Sequence, residues 1–171
     1  QEVVQAGMQL LKFGYQIGMI TQTASHTAKT SLYDFVQRFQ AAQHDMKAWR
    51  EYKTWKKRTG MRFTIRSVET TDDRPDYEGR KTGWHFHSHT LVFFDRLKAF
   101  TDAEAKEFTE SFQKMWVRAL AGVGLSGSLE RAASFSLPRA TKLLETAREN
   151  SVDVTKDDAV ARLCQYVAKA F

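Results

Sequence analysis

The chain has 171 residues, of which 42% are hydrophobic and 12% aromatic, so one folded domain is favoured and a disordered segment is excluded. Lys and Arg outnumber Asp and Glu by 26 to 20, giving a formal charge of +6, which favours a polyanionic partner such as nucleic acid. The single cysteine, Cys164, excludes an intrachain disulfide and fits a reducing, cytoplasmic compartment. No signal peptide is visible, and no apolar run reaches the roughly 18 residues of a membrane span. We expect residues 1–171 to be a single domain excised from a longer chain.

The first third of the chain predicts a helix, a strand and a longer helix. Apolar residues at helical spacing predict a short amphipathic helix over 2–13, and β-branched residues over 16–25 predict a strand. Ser31 and Asp34 form a capping-box pattern ahead of apolar residues at steps of three and four. This helix is expected to continue until Gly60.

The far end of that helix interleaves basic with aromatic residues. Such a pattern can hold phosphates and stack on bases, which makes its basic residues candidates for DNA binding: Lys53, Lys56, Lys57 and Arg58. The alternative is an ordinary amphipathic helix, whose aromatic residues pack inward while its lysines stay solvated.

A second strand follows at 61–71. Met61, Phe63 and Ile65 are expected to share one face, which continues to Glu69 because side chains alternate along a strand. The charged, turn-rich segment 72–83 would let this strand pair antiparallel with the next one. Glu69 is then expected close to the histidines that follow.

The third strand carries three histidines on one face. His85, His87 and His89 alternate with residues of the other face and are followed on the same side by apolar residues. Three neighbouring imidazoles each need hydrogen-bond partners, and when charged they repel one another. A divalent metal resolves both problems, because imidazole is its commonest protein ligand. The alternative is a half-exposed strand whose histidines bind no metal.

The second half predicts further helices around short strands. Thr101 and Glu104 form a second capping box. The glycines of 122–127 match a dinucleotide-binding pattern, which we reject because that fingerprint must follow a strand, and this segment follows a helix. The remaining predicted elements are strands over 129–137 and 152–154, a helix over 140–149, and a last helix that carries Tyr166 and Lys169 on one face.

Three of these segments, in this order, resemble the motifs of the HUH endonuclease superfamily, specifically the Rep proteins that initiate rolling-circle plasmid replication. They are Met-Ile-Thr-Gln-Thr-Ala-Ser-His at 19–26, Trp-His-Phe-His-Ser-His at 84–89 and Tyr-Val-Ala-Lys at 166–169. The resemblance implies an HUH-type α+β fold, derived from a ferredoxin-like arrangement. We expect a central, mainly antiparallel sheet with helices on one face, and the metal site with Tyr166 on the other.

The resemblance also implies an activity and its residues. The activity is metal-dependent, site-specific nicking and joining of single-stranded DNA through a 5′-phosphotyrosine. His87, His89 and Glu69 match the metal ligands, for Mn²⁺ or Mg²⁺, with His85 ranked below them. Tyr166 matches the nucleophile, and Lys169 the basic residue beside it. The implied partners are single-stranded DNA at a replication origin (a hairpin or nick site), a host helicase and a second copy of the chain.

The chain departs from the family pattern at three positions. Phe86 replaces a proline, and Ser88 replaces a bulky apolar residue on the face away from the metal. Arg162 occupies the position where some members carry a glutamate that activates water at termination, so hydrolytic termination by that route is not expected. The rival interpretations are an HUH transposase or relaxase, a non-catalytic DNA-binding module stabilised by a metal, and a metallohydrolase unrelated to DNA.

Overall fold

The computed structural model describes residues 15–27, 30–72, 84–96 and 99–136. In chain order the elements are β1 (Gln16–Gln22), α1 (Leu32–Ala48), α2 (Arg50–Thr59), β2 (Met61–Asp72), β3 (Trp84–Phe94), α3 (Asp102–Gly122) and β4 (Ala133–Ser136). The predicted α+β class is confirmed. The predicted elements over 2–13, 140–149 and 152–154 lie outside the described residues, as does the last helix with Tyr166 and Lys169.

The four strands form one sheet in the order β2-β3-β1-β4, and every neighbouring pair is antiparallel. Side chains alternate between the two faces of a strand. The face that carries His85, His87 and His89 is called the histidine face below. The opposite face, called the helix face, carries Phe86 and Val92, which belong to the main hydrophobic core.

The described helices cover the helix face and build its core. Phe39 of α1 is 1% exposed, and its ring centre lies 5.0 Å from that of Phe86 on β3 and 4.9 Å from that of Trp116 on α3. Trp116 in turn donates its indole N–H to the carbonyl of Thr23, just beyond β1, at 3.0 Å. Aromatic contacts and the hydrogen bond of the Trp116 indole therefore connect the helices to the sheet.

The predicted continuous helix is wrong, because the chain breaks between α1 and α2 at Trp49. That residue is extended, with φ −64° and ψ 142°. The Arg118 guanidinium of α3 lies 4.1 Å from the centre of the Trp49 ring and pairs with Glu51 at 2.6 Å. A straight helix across both segments would be about 42 Å long, and the break instead directs the aromatic side of α2 back onto the core.

The prediction that Met61 and Phe63 share one face is also wrong. Met61 pairs with Phe94 and Phe63 pairs with Phe93, so one extra residue is inserted in β2 between them. Such a β-bulge resets the alternation of side chains. Met61 therefore joins the core on the helix face at 5% exposure, whereas Phe63 stays 50% exposed on the histidine face.

Element ends follow the predicted signals closely. Thr101 and Glu104 form the reciprocal capping box at the start of α3. After α3 the chain turns at Gly124, whose φ of 71° favours glycine, and it continues to β4, so the rejection of a dinucleotide loop stands.

None of the helices in the described part of the chain is long and apolar enough to cross a membrane.

Candidate metal centre on the histidine face

The pairing of β2 with β3 brings Glu69 among the histidines, as the antiparallel arrangement predicted. Glu69 is the register partner of His87. Its carboxylate reaches diagonally to the next histidine of that face, and Oε2 lies 3.2 Å from Nε2 of His89. Because β3 lies between β2 and β1, the His89 ring also meets β1, where Thr21 Oγ1 lies 3.0 Å from its Nδ1.

Burial changes across this group. The His89 side chain is 6% exposed, whereas the Glu69 side chain is 41% exposed. Further along β3, Leu91 and Phe93 are fully buried on the same face. The Glu69–His89 pair therefore lies where the apolar part of the histidine face gives way to solvent, and its imidazole is shielded while its carboxylate is accessible.

The two contacts of His89 define its ring chemistry. A carboxylate oxygen only accepts, so Nε2 carries a hydrogen when it bonds to Glu69, and a neutral ring then accepts the Thr21 hydroxyl at Nδ1. If Nε2 gives its lone pair to a cation, Nδ1–H donates to Thr21 Oγ1 instead. Thr21 can serve both states because its hydroxyl can donate and accept a hydrogen bond. Metal-bound imidazoles usually have a hydrogen-bond partner at the ring nitrogen that does not bind the metal.

His87 is adjacent to this pair and favours the neutral form. Its ring centre lies 6.0 Å from that of His89, with an angle of 19° between the ring planes. Partial burial lowers the pKa of His87, and the neighbouring imidazoles, His89 first, lower that pKa further, while the Glu69 carboxylate opposes them. A neutral imidazole keeps the lone pair that a metal requires.

His85 and His26 form a second group beside the first. The His26 ring stacks on Trp84 at 4.0 Å and meets the His85 ring edge-on at 5.7 Å. His26 Nε2 is buried and has no hydrogen-bond partner among the described residues. Both rings border a cavity of about 550 Å³ that His87 and Arg131 also line. His85 therefore lies on the His26 side of His87, and its rank as a ligand stays a prediction.

The donor types in this group fit a divalent ion, and two of the donors are already in contact. Two ligand atoms at bond lengths of about 2.1 Å stand roughly 3 to 3.4 Å apart around one ion, and the Glu69–His89 separation of 3.2 Å falls in that range. Among the described residues, no three His, Cys, Asp or Glu side chains are arranged as a complete metal site. A three-ligand site here would require the His87 ring to turn towards the pair.

The two departures beside the ligands both point to the helix face. Phe86 is 5% exposed and packs against Phe35 and Phe39 at 5.8 Å and 5.0 Å between ring centres. Ser88 is fully buried and accepts a hydrogen bond from Gln43 at 3.2 Å. These substitutions therefore affect packing beneath the histidines and leave the histidine face unchanged.

The candidate DNA-binding residues of α2 separate into different environments. Lys53 and Lys56 line a cavity on the helix face. Arg58 instead pairs with Glu107 at 2.6 Å, while Lys57 is exposed. The aromatic residues of α2 pack inward, as the alternative interpretation predicted, and DNA contact by the four basic residues stays a prediction.

Several residues of this site had weak sequence signals. Thr21 belongs to the first motif of the resemblance, but nothing local indicated its bond to His89. Arg131 comes from a segment that carried no motif. Tyr166 and Lys169 lie outside the described residues, so their place beside the metal ligands stays a prediction.

Comparisons with known proteins identify no family. No family model matches the chain, and no curated protein matches it. Among solved structures, an amidohydrolase/peptidase from Burkholderia cenocepacia is 14% identical with a TM-score of 0.30, covering 80% of this chain and 32% of its own. An amidase of the hydantoinase/carbamoylase family from Burkholderia multivorans is 10% identical with a TM-score of 0.26, covering 72% and 26%. The chain spans about a third or less of these proteins, and likeness at this level carries no inference about fold or activity.

Proposed function

We propose that this chain is the catalytic domain of a rolling-circle replication initiator of the HUH type, which nicks and rejoins single-stranded DNA at one site. The observation that carries the proposal is the contact of Glu69 with His89, beside His87, on the sheet face opposite the helices. Glu69, on the neighbouring strand, is the acidic ligand that the sequence resemblance implies, and its contact with His89 supports this role. The order of the three motifs along the chain provides further support.

The metal would be held by His87, His89 and Glu69, with Mn²⁺ or Mg²⁺ as the ion. When bound, a divalent cation offsets the negative charge that builds up on a phosphodiester under attack. Thr21 orients the His89 ring, and the low pKa of His87 keeps that imidazole available as a ligand. The buried apolar end of the histidine face limits water on one side of the site.

Tyr166 supplies the nucleophile in this proposal. A phenol has an ordinary pKa of about 10 and is mostly protonated at neutral pH. Lys169, three residues further along the predicted last helix, would favour the phenolate through its positive charge. The phenol proton passes to solvent water, and the phenolate oxygen bonds to phosphorus. The bond from phosphorus to the 3′ oxygen breaks, and that oxygen takes up a proton from water to give a free 3′-OH. The resulting 5′-phosphotyrosine retains the energy of the broken bond, so a 3′-OH can later attack it and reseal the strand.

A covalent-adduct assay tests the proposal. The chain is incubated with single-stranded oligonucleotides and Mn²⁺, and a label on the 3′ side of the nick is followed on a denaturing gel. We expect an adduct that Tyr166→Phe abolishes and that Tyr33→Phe leaves intact, because Tyr33 is a surface tyrosine with 73% exposure. An adduct that survives in Tyr166→Phe overturns the assignment of the nucleophile.

The role of the metal is tested in the same assay with a nearly isosteric variant. Glu69→Gln removes a charged ligand, so we expect its Mn²⁺ affinity to fall at least about 100-fold and its adduct yield to fall with it. Glu130→Gln, an exposed carboxylate on the segment before β4, is the matched control. An adduct that resists a chelator contradicts the metal role. Metal-dependent DNA binding without any adduct would instead establish the non-catalytic module.

A further inference from the structure

A second cavity, of about 550 Å³, opens on the helix face at the edge strand β2, on the side of the sheet away from the metal ligands. It is bounded by α1, α2 and β2. Five cationic side chains line it, namely Lys47, Lys53, Lys56, Arg62 and Arg66, and no described carboxylate does. The cavity therefore gathers like charges that ordinary surfaces intersperse with acids.

Within the described part of the chain, few acidic side chains balance the charge of these cations. Arg62 pairs with Asp95 at 3.2 Å, and Arg66 donates to the neutral amide of Gln43. Lys47, Lys53 and Lys56 form no ion pair with a described residue. Partial burial lowers the pKa of Lys47, and the nearby charges of Arg66 and Lys56 lower that pKa further. An anion in the cavity would relieve this repulsion.

The polar floor of the cavity supplies a second, independent observation. Gln43 and Gln22 line the cavity and are 3% and 5% exposed. Because Arg66 donates to Gln43 Oε1, the Gln43 amide nitrogen must be the donor to Gln22 Oε1, at 2.8 Å. That orientation leaves Gln22 Nε2 buried without a hydrogen-bond acceptor among the described residues. A buried donor beneath a set of cations calls for a ligand that carries accepting oxygens.

We propose that this cavity is a phosphate-binding site, separate from the metal centre. A phosphate group provides several accepting oxygens and negative charge. These match Arg66, the amide hydrogen of Gln22 and three lysines that form no ion pair with a described residue. The phosphate belongs either to the backbone of a nucleic acid strand that crosses the edge of β2, or to a terminal or free phosphate. The proposal does not rest on the nicking activity, since its residues lie on the opposite face of the sheet.

Calorimetric titration of the chain with pyrophosphate, in the presence of a chelator, tests the site without the metal centre. We expect Lys47→Gln/Lys56→Gln to weaken pyrophosphate binding at least about tenfold, because two charge-assisted hydrogen bonds are lost. The matched control is Lys106→Gln/Lys114→Gln on α3, which removes the same charge from exposed positions and should bind as wild type does. Equal weakening in both variants, or no binding by wild type, overturns the proposal.

Gln22→Glu keeps the accepting oxygen and the shape of the side chain but places an anion where the unpaired donor stood. We expect it to abolish pyrophosphate binding and to raise the melting temperature, since the new carboxylate takes the place of the ligand among the cations. A variant that binds pyrophosphate as wild type does contradicts the role of Gln22. A loss of folding would appear as a fall in melting temperature and is thereby distinguished.

Competition identifies the source of the phosphate. A single-stranded oligonucleotide without a terminal phosphate displaces pyrophosphate if the site takes backbone phosphodiesters. If only the 5′-phosphorylated oligonucleotide displaces it, the site takes terminal phosphates. Either result supports the site. If pyrophosphate does not bind and neither oligonucleotide binds, the proposal is contradicted.

Discussion

His89 receives contacts from both neighbouring strands, and this arrangement follows from its place on the second strand from the sheet edge. Thr21 of β1 meets one ring nitrogen and Glu69 of β2 meets the other. Both contacts hold the plane of the imidazole within a buried setting, so its orientation is set before any ion binds. In the proposed metal site, such preorganisation would favour tighter metal binding than a ring that must first be ordered.

Thr21→Val tests the contribution of that orientation. Valine has nearly the same shape but cannot hydrogen-bond, so we expect Mn²⁺ affinity to fall about tenfold while the fold is preserved. Isothermal titration with Mn²⁺ measures the change. Thr70→Val is the control, because Thr70 is exposed on the neighbouring strand and pairs with Phe86 on the helix face. Equal affinities in the two variants would show that Thr21 does not position the ligand.

At the scale of elements, α3 depends on its first turn. Glu104 accepts the Thr101 backbone N–H at 2.8 Å and an Arg96 bond at 2.9 Å. These contacts, the Thr101 backbone bond first, lower the pKa of Glu104 from 4.5 to about 2. A carboxylate at a helix N-terminus also interacts favourably with the helix dipole. This turn therefore anchors the helix that carries Phe108, Phe112 and Trp116 into the core.

The lowered pKa of Glu104 predicts how stability depends on pH. Its contribution is complete above pH 4.5 and is lost as the pH falls through about 2. We expect Glu104→Gln to reduce the free energy of unfolding by roughly 0.5 kcal/mol at pH 7, a value reduced by solvent screening, and the difference to shrink towards pH 2. Urea unfolding at pH 7 and pH 3 measures it. Glu110→Gln, an exposed acid of the same helix, should show a smaller difference at both pH values.

At the scale of the molecule, the sheet separates the two proposed sites, and one core lies beneath both. Phe39 contacts β3 through Phe86 and α3 through Trp116. The helix face of β3 thus connects the histidine-bearing strand to the aromatic core through Phe86. The cationic cavity opens on that same face, so the two sites share one core while facing in opposite directions.

Phe39→Ala tests how much of the fold this core carries. Removing a fully buried ring costs about 3–5 kcal/mol, a large share of the roughly 5–15 kcal/mol that stabilises a domain. Chemical unfolding should therefore show a marked fall in midpoint. Tyr33→Ala, at 73% exposure, should stay within about 0.5 kcal/mol of wild type. A small effect of Phe39→Ala would mean that other residues provide most of the free energy of unfolding.

Local patterns predicted much of this arrangement. Alternation along β3 placed the histidines on one face, the turn-rich segment after β2 predicted antiparallel pairing, and together these brought Glu69 to them. Thr101 and Glu104 predicted the start of α3 because a capping box is a short-range signal. The glycine-rich segment follows a helix, as the sequence predicted, and this context is the basis for rejecting a nucleotide loop.

Features that depend on distant contacts could not be predicted in this way. Trp49, at the break between α1 and α2, contacts Arg118 of α3, and the Thr21–His89 bond depends on the order of strands. The cationic cavity combines residues of α1, α2 and β2 with Gln22, which no spacing rule connects. The bulge near Met61 is a single inserted residue, and the apolar pattern of β2 gives the same signal with or without it.

That inserted residue has a consequence for how the gene can tolerate length changes. The alternation of side chains in β2 is reset between Met61 and Phe63. A change of chain length before this point therefore does not alter the face of the sheet on which Glu69 lies. Losing the codon for Arg62 would straighten the entry to the strand and remove the ion pair with Asp95, while Glu69 keeps its side of the sheet. Losing one codon between Phe63 and Glu69 would turn the carboxylate away from the imidazoles and towards the helices, leaving a folded sheet without the carboxylate of the proposed metal site.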